Sequence, residues 1–363
     1  MRKKFLALTS FLVFFLMIFS ACSNSQDDTE NVEVFGLQKA FDLAEEYLGL
    51  IKNNKLAEAN ALCTEELINS NNNITTGISN IVAFAPDNVI EYSNSAFMTF
   101  NVIRNSSSEP KCDLDSYAIK VVKENDEYKI DEVKATNLKQ VFINNDSLRM
   151  ISEDGGKSDL IISLNNITKD SYLKENKIML YKEKVPAENF GVVALGYKGD
   201  KIAISTTSGN RSFIAIAYIQ ESQEAQGSSS EGNSGGEGAK NEEENLGELL
   251  EKPIAKKVIP LDIYNGAIVN NLVFMQEEEY LITEYVNANL SNRIKVYNGS
   301  SGDLIALDFD SKFPEEKYSI NLLTFKKDEF DISVTAKEGS SDIDKNILGE
   351  YTVHVDSLEI KKK

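Results

Sequence analysis

Tryptophan is absent from this 363-residue chain, and histidine occurs once, at His354. A single imidazole rules out zinc-hydrolase motifs that need two histidines, and most histidine-rich metal sites with them. Basic residues are also scarce. Lysine and arginine number 38 against 57 aspartates and glutamates, for a net charge of −19. Such a surface repels phosphate backbones, which argues against nucleic acid as a partner. It repels anionic lipid head groups for the same reason. No glycine-rich phosphate loop, C-x-x-C pair or basic patch is present. Sugar-binding surfaces often use broad aromatic rings, so the missing tryptophan weakens a role on wall polysaccharide. An apolar content of 42% with only six prolines leaves room for packed cores rather than global disorder.

What is present begins with an address. Arg2, Lys3 and Lys4 precede an apolar run from Phe5 to Phe19, broken only by Thr9 and Ser10, and Ser20, Ala21 and Cys22 follow. This is the layout of a secretory signal peptide. Its apolar part is short for a membrane span, which needs about 20 residues. The Phe19-Ser20-Ala21-Cys22 stretch resembles the bacterial lipobox, with Phe19 where leucine is usual. The resemblance implies a diacylglycerol on the Cys22 thiol and cleavage before that residue. Residues 1–21 are then a signal peptide and 22–33 a lipidated tether. The implied location is the extracytoplasmic face of the cell membrane, with the acyl chains as anchor. Disulfides can form in that compartment. The two remaining cysteines, Cys63 and Cys112, are either bonded to one another or two separate buried thiols.

The next stretch has a helical period. Phe35, Leu37, Ala40, Phe41, Ala44, Leu48 and Ile51 recur at spacings of three and four, and Leu56, Ala59, Leu62 and Leu67 continue on a second helix after Asn53-Asn54. The period then changes to that of strands: Val89–Tyr92, Ala96–Val102, Tyr117–Lys123 and Tyr128–Val133. The last two flank the turn Glu124-Asn125-Asp126-Glu127, a hairpin signature. Two helices plus an antiparallel sheet predict an α+β domain over 34–144. The order resembles cystatin-like and nuclear-transport-factor-like domains, in which a long helix lies in the concave face of a curved sheet.

Residues 145–363 have almost no helical periodicity and predict an all-β domain. Short β runs recur in four units, beginning near Leu160, Val192, Asn271 and Ile320. A β unit repeated at about 40–50 residues resembles the blades of bacterial β-propellers. Hairpins of a β-sandwich produce similar repetition, so the domain reads as propeller-like or as a sandwich. An insertion at 221–251, built of Gly, Ser and Glu, interrupts it. Its composition predicts a disordered acidic loop.

Candidate chemistry is thin. Gly232-Asn233-Ser234-Gly235-Gly236 matches the G-x-S-x-G pattern, and Asp308 or Asp342 followed by His354 completes a hydrolase order. The pattern needs a strained turn between a buried strand and a helix, and Ser234 sits in a Gly/Ser/Glu tract with neither. The acidic pairs Asp308/Asp310 and Asp342/Asp344 lack calcium-loop spacing and read as polar turns. No catalytic residue, cofactor site or metal site is assigned. The expectation is a non-catalytic surface lipoprotein, a binding or scaffold module for an envelope protein or peptide. The alternative is an enzyme or small-molecule binder using a pocket in the N-terminal cone.

Overall fold

The computed structural model describes residues 35–70, 79–106, 109–153, 156–172, 182–220 and 251–363. The expected signal peptide, Cys22, Ser234 and nearly all of the acidic insertion lie outside these. The chain divides into two units, Met1–Gly36 and Leu37–Lys363, and every helix and strand among the described residues belongs to the second. That unit is mostly antiparallel β-sheet with a few helices.

Helix α1 (Leu37–Lys52) buries Ala40, Ala44, Tyr47, Leu48 and Ile51 along one stripe. It ends where Asn54 turns left-handed (φ 56°). The Asn54 amide donates to the Ile51 carbonyl and the Lys55 amide to that of Leu50, both at 2.9 Å, which is a Schellman cap. Short helices α2 (Leu56–Ala61) and α3 (Glu65–Asn69) follow. The Thr64 hydroxyl caps α3 by accepting from the Leu67 amide. Three helices thus stand where the sequence predicts two.

Six strands then form one up-and-down sheet: β1 (Asn80–Glu91), β2 (Ser95–Asn105), β3 (Cys112–Glu124), β4 (Glu127–Asn144), β5 (Ser147–Ser152) and β6 (Asp159–Ser163). The predicted hairpin is present: β3 and β4 close on Glu124↔Glu127. Asn125 and Asp126 both take positive φ, the requirement of a two-residue turn between twisted strands. The sheet does not stop at residue 144. Strands β5 and β6 extend it to Ser163. Cys112, Leu114, Val141 and Met150 share one apolar core with Leu195, Ile216 and Phe274. The sheet and part of its core thus run on past residue 144.

A small ladder, β7 (Asp170–Tyr172) with β8 (Lys182–Lys184), precedes three further sheets, each ordered as the chain runs. They are β9 to β12 (Asn189–Leu195, Lys201–Ser208, Arg211–Ile219, Ala255–Tyr264), β13 to β15 (Ala267–Phe274, Tyr280–Asn287, Asn292–Asn298) and β16 to β19 (Tyr318–Phe325, Glu329–Ala336, Gly349–His354, Glu359–Lys362). A one-turn helix, α4 (Phe309–Lys312), lies between the last two. Strand β9 packs against β3 and β13, and β15 against β16.

Polar clamps tie these sheets together. Glu278, in the β13–β14 turn, is 2% exposed and left-handed (φ 60°). Its carboxylate accepts from the Lys198 amide (2.9 Å) and pairs with Lys201 Nζ (3.1 Å), the one in the β9–β10 turn and the other at the start of β10. A Cβ on Gly196 would meet that carboxylate at 2.8 Å, so the close approach requires glycine. Between the next two sheets, Glu284 accepts from Asn271 Nδ2 (2.7 Å) and the Leu322 amide (2.9 Å).

The insertion leaves and re-enters the body at one place. The Gln220 amide donates to the Ile254 carbonyl (3.0 Å), and the Ile254 amide to Leu160 (2.9 Å). Glu251, its last predicted residue, belongs to the body instead. It takes a two-pronged contact from Arg149 (3.0 Å each) and a bond from the Leu160 amide (3.2 Å). Burial opposes ionisation of Glu251, but those donors outweigh it and hold the carboxyl below its ordinary value of 4.5.

Neutralising either carboxylate tests these clamps. Glu278→Gln strands a buried Lys201 and should cost about 3–5 kcal/mol in urea unfolding. Glu251→Gln should cost about 2 kcal/mol at pH 7. A depressed carboxyl stabilises the fold above its unfolded pKa and loses that contribution as pH falls through the folded value. The deficit of Glu251→Gln relative to wild type should therefore shrink below pH 4.5. A deficit unchanged at pH 3 would mean the Arg149 pair does not act through charge.

Candidate functional site

One face of the first sheet is covered by helix α1. The buried stripe of α1 lies on strands β1 to β4, and Phe41 meets Phe100 with ring centroids 5.8 Å apart. Tyr47 is 1% exposed there, and burial raises its hydroxyl pKa far above 10. Two clefts remain open beside α3, one of about 480 Å³ lined by Glu66, Lys129 and Asp131 among others, and one of about 400 Å³ lined by Glu66, Lys120 and Asp131.

The two thiols are held apart, and both are free. Cys63 bridges to Ile130 near the start of β4, whereas Cys112 pairs with Val141 toward its end. Those positions are roughly 35 Å apart at about 3.3 Å per residue, far beyond disulfide reach. Cys63 Sγ donates to the Ala59 carbonyl (3.4 Å), and Cys112 Sγ accepts from the Leu195 amide (3.3 Å). Burial pushes the Cys63 thiol up to about 11 and that of Cys112 to about 12.

The other sequence candidates are dispersed. Asp308 caps α4 by accepting from Ser311, and Asp310 pairs with the buried Arg293. Asp342 occupies a left-handed turn position, and Asp344 accepts from the Asn346 amide. All four serve turns or pairs. Among the described residues no three His, Cys, Asp or Glu side chains gather as a metal site. His354 sits in cross-strand register between Glu329 and Glu359. It borders a groove of about 480 Å³ on the polar face of the last sheet, with Lys326, Asp331 and Lys363. Its charges are answered in place: Lys363 meets Asp331 at 2.7 Å and Lys326 meets Glu329 at 3.3 Å.

One buried network was not legible beforehand. Asp262, 1% exposed, accepts from Tyr297 (2.9 Å), Lys295 (3.1 Å) and the Ile263 amide (2.9 Å). Tyr264 in turn donates to Tyr297 (2.8 Å). Burial first, then neighbouring Tyr264 and Asp262, raises the Tyr297 hydroxyl well above 10. Both phenols stay protonated, and each proton is committed to the next oxygen. The network joins β12 to β15 and works as a fixed strut.

Of the nine large apolar residues exposed among the described ones, three are close together at the first hairpin and the other six are spread along the chain. Strand β1 is the edge of its sheet, and its last half is exposed on both faces. Val89, Ile90 and Tyr92 are 37%, 50% and 55% exposed. Tyr92 packs edge-on to Phe97 (5.8 Å), so the tip is ordered. Isolated exposed apolar residues are ordinary, but three on the free edge of a strand form the kind of surface that takes a partner. The sequence shows Val89-Ile90-Glu91-Tyr92 as a strand. Its place at an edge depends on pairing and could not be read there.

No protein-family profile matches the chain, and no curated protein matches it. Among solved structures it is similar to a puromycin-hydrolyzing peptidase from Mycobacterium tuberculosis (9% identity, 77% of this chain and 45% of the other, TM-score 0.27). It is also similar to Hsv2 of Kluyveromyces lactis (9%, 75% and 74%, 0.25). A third likeness is to a putative 6-phosphogluconolactonase from Bacteroides fragilis (9%, 60% and 68%, 0.24). The chain spans under half of the peptidase, and at these scores the likenesses carry no argument.

The thiol assignment is directly testable. Iodoacetamide at pH 8 should label neither Cys63 nor Cys112 in the folded protein, and both in urea without reductant. A mass spectrum showing no labelling in urea would reinstate the disulfide.

Proposed function

We propose that this protein is a surface-tethered binding or scaffold module that acts without catalysis. In this reading the chain is exported by the signal peptide at 1–21 and lipidated on Cys22. It is then held on the extracytoplasmic face of the cell membrane, and its body engages an envelope protein or peptide. No helix among the described residues is long and apolar enough to cross a membrane, so the acyl anchor is what this reading relies on.

The observation that carries the proposal is the contrast between a filled interior and an open edge. Enzymes of envelope components need a cleft where ionisable groups converge. Here α1 packs on the first sheet, the clefts beside α3 are open and polar with Lys120 already paired to Asp131, and the buried ionisable groups Asp262, Glu278 and Arg293 are committed to partners. Apolar surface remains at Val89, Ile90 and Tyr92. The expected contact is therefore the tip of the first hairpin. Three successive up-and-down sheets also favour a propeller-like arrangement of the latter part over a sandwich, since each meander is complete before the next begins.

The test is photo-crosslinking in intact cells. A photoreactive side chain at position 90 should give one dominant adduct in the membrane fraction, and the same group at Thr352 should give none. Cys22→Ser should release the chain from that fraction and remove the adduct. Absence of any adduct at position 90 with the chain correctly localised would sink the binding reading.

A further inference from the structure

We infer that the free edge of β1, from Asn88 to Tyr92, receives an extended segment of another protein whose basic side chains face Asp87 and Glu91. The inference rests on the binding-module reading and names the partner's conformation and charge.

The conformation follows from register. Ile90 pairs with Phe97 and Asn88 with Thr99, and the Tyr92 amide donates to the Ser95 carbonyl at 2.8 Å. In an antiparallel ladder, residues that exchange bonds with the partner strand alternate with residues whose amide and carbonyl point away. Tyr92, Ile90 and Asn88 therefore face β2. Val89 and Glu91 present their backbone groups to the open side. The Val89 amide is answered locally by Asn88 Oδ1 at 2.9 Å. Among the described residues the Val89 carbonyl and both backbone groups of Glu91 remain for an incoming strand, which is the geometry of strand addition. The edge is short by construction. Pro86 has no amide, and the register shift between Pro86 and Asn88 breaks the ladder behind it.

The charge follows from the local sequence. No lysine or arginine occurs between Lys55 and Arg104, whereas Asp87 and Glu91 flank the free stretch, and both are exposed. Like charges directly opposite one another across strands are destabilising, and opposite charges are favourable. Two copies of β1 paired antiparallel about Val89 would set Glu91 of each against Asp87 of the other. A second copy of this chain is thus disfavoured by two like-charge contacts. A segment with lysine or arginine at alternate positions meets both carboxylates, and its apolar residues can rest on the exposed Ile90 and Tyr92.

The probe is a fluorescent eight-residue peptide alternating lysine and valine, titrated into the full-length protein and followed by anisotropy. Saturable binding is expected. Glu91→Pro removes an outward amide but leaves the β1–β2 ladder, and should weaken binding about tenfold. Glu91→Lys, a change at an exposed side chain that leaves the fold alone, should weaken it by a similar factor. N-methylation of the peptide at alternate residues should abolish it. Equal binding of the methylated peptide, or no effect of either variant, would overturn strand addition even where position 90 still crosslinks in cells. A concentration-dependent dimer in sedimentation that Glu91→Pro dissolves would overturn the choice of occupant. Loss of the crosslink as well would remove the underlying reading.

Discussion

Strand β3 turns one face to the later sheets at Cys112 and Leu114 and the opposite face to α1 from Tyr117 to Val121, and the arrangement of the whole chain is tied to that exchange. Cys112 and Leu114 point into the core that holds Leu195, Ile216 and Phe274. Tyr117, Ile119 and Val121 are buried toward the other end of the same strand, near the helix that carries Tyr47. One strand thus serves two layers. Removing either would expose a full apolar face, and each buried side chain of that size contributes about 1.5–3 kcal/mol. The helical layer and the later sheets are bound to one another through it.

Where apolar packing joins the layers, buried charge fixes how successive sheets meet. Glu278 with Lys201, Asp262 with Lys295, and Arg293 with Asp310 each span two elements. Such pairs add little net stability because desolvation cancels much of the attraction. They do make alternative alignments costly, since a slipped sheet would leave a buried charge unpaired. These buried charges are therefore spent on register.

The sequence made some of this legible. The stripe Ala40, Ala44, Leu48, Ile51 identified α1, because a surface helix must bury one face at that period. The Asn125-Asp126 turn identified its hairpin, because few residues accept two successive positive φ values. The division at residue 144 rests on patterning alone. A change from helix to strand patterning records local structure, whereas a domain boundary depends on which strands pair, and β4 pairs with β5 across it. Glu251 read as the end of an acidic tract because composition cannot show that Arg149 waits opposite. The candidate edge was visible as a strand but not as an edge, since a free ladder is defined by the absence of a neighbour.

The bond between Gln220 and Ile254 also has a consequence for what this protein tolerates. Two chain ends already fixed side by side lose little more entropy when the segment between them grows. Doubling such a segment costs only about 0.6 kcal/mol. This position is a natural splice point: a reporter domain placed there, or new termini opened there in a permuted chain, would leave every sheet contact in place. Variation in length among relatives should gather at this junction, because selection on the fold has almost no purchase on it.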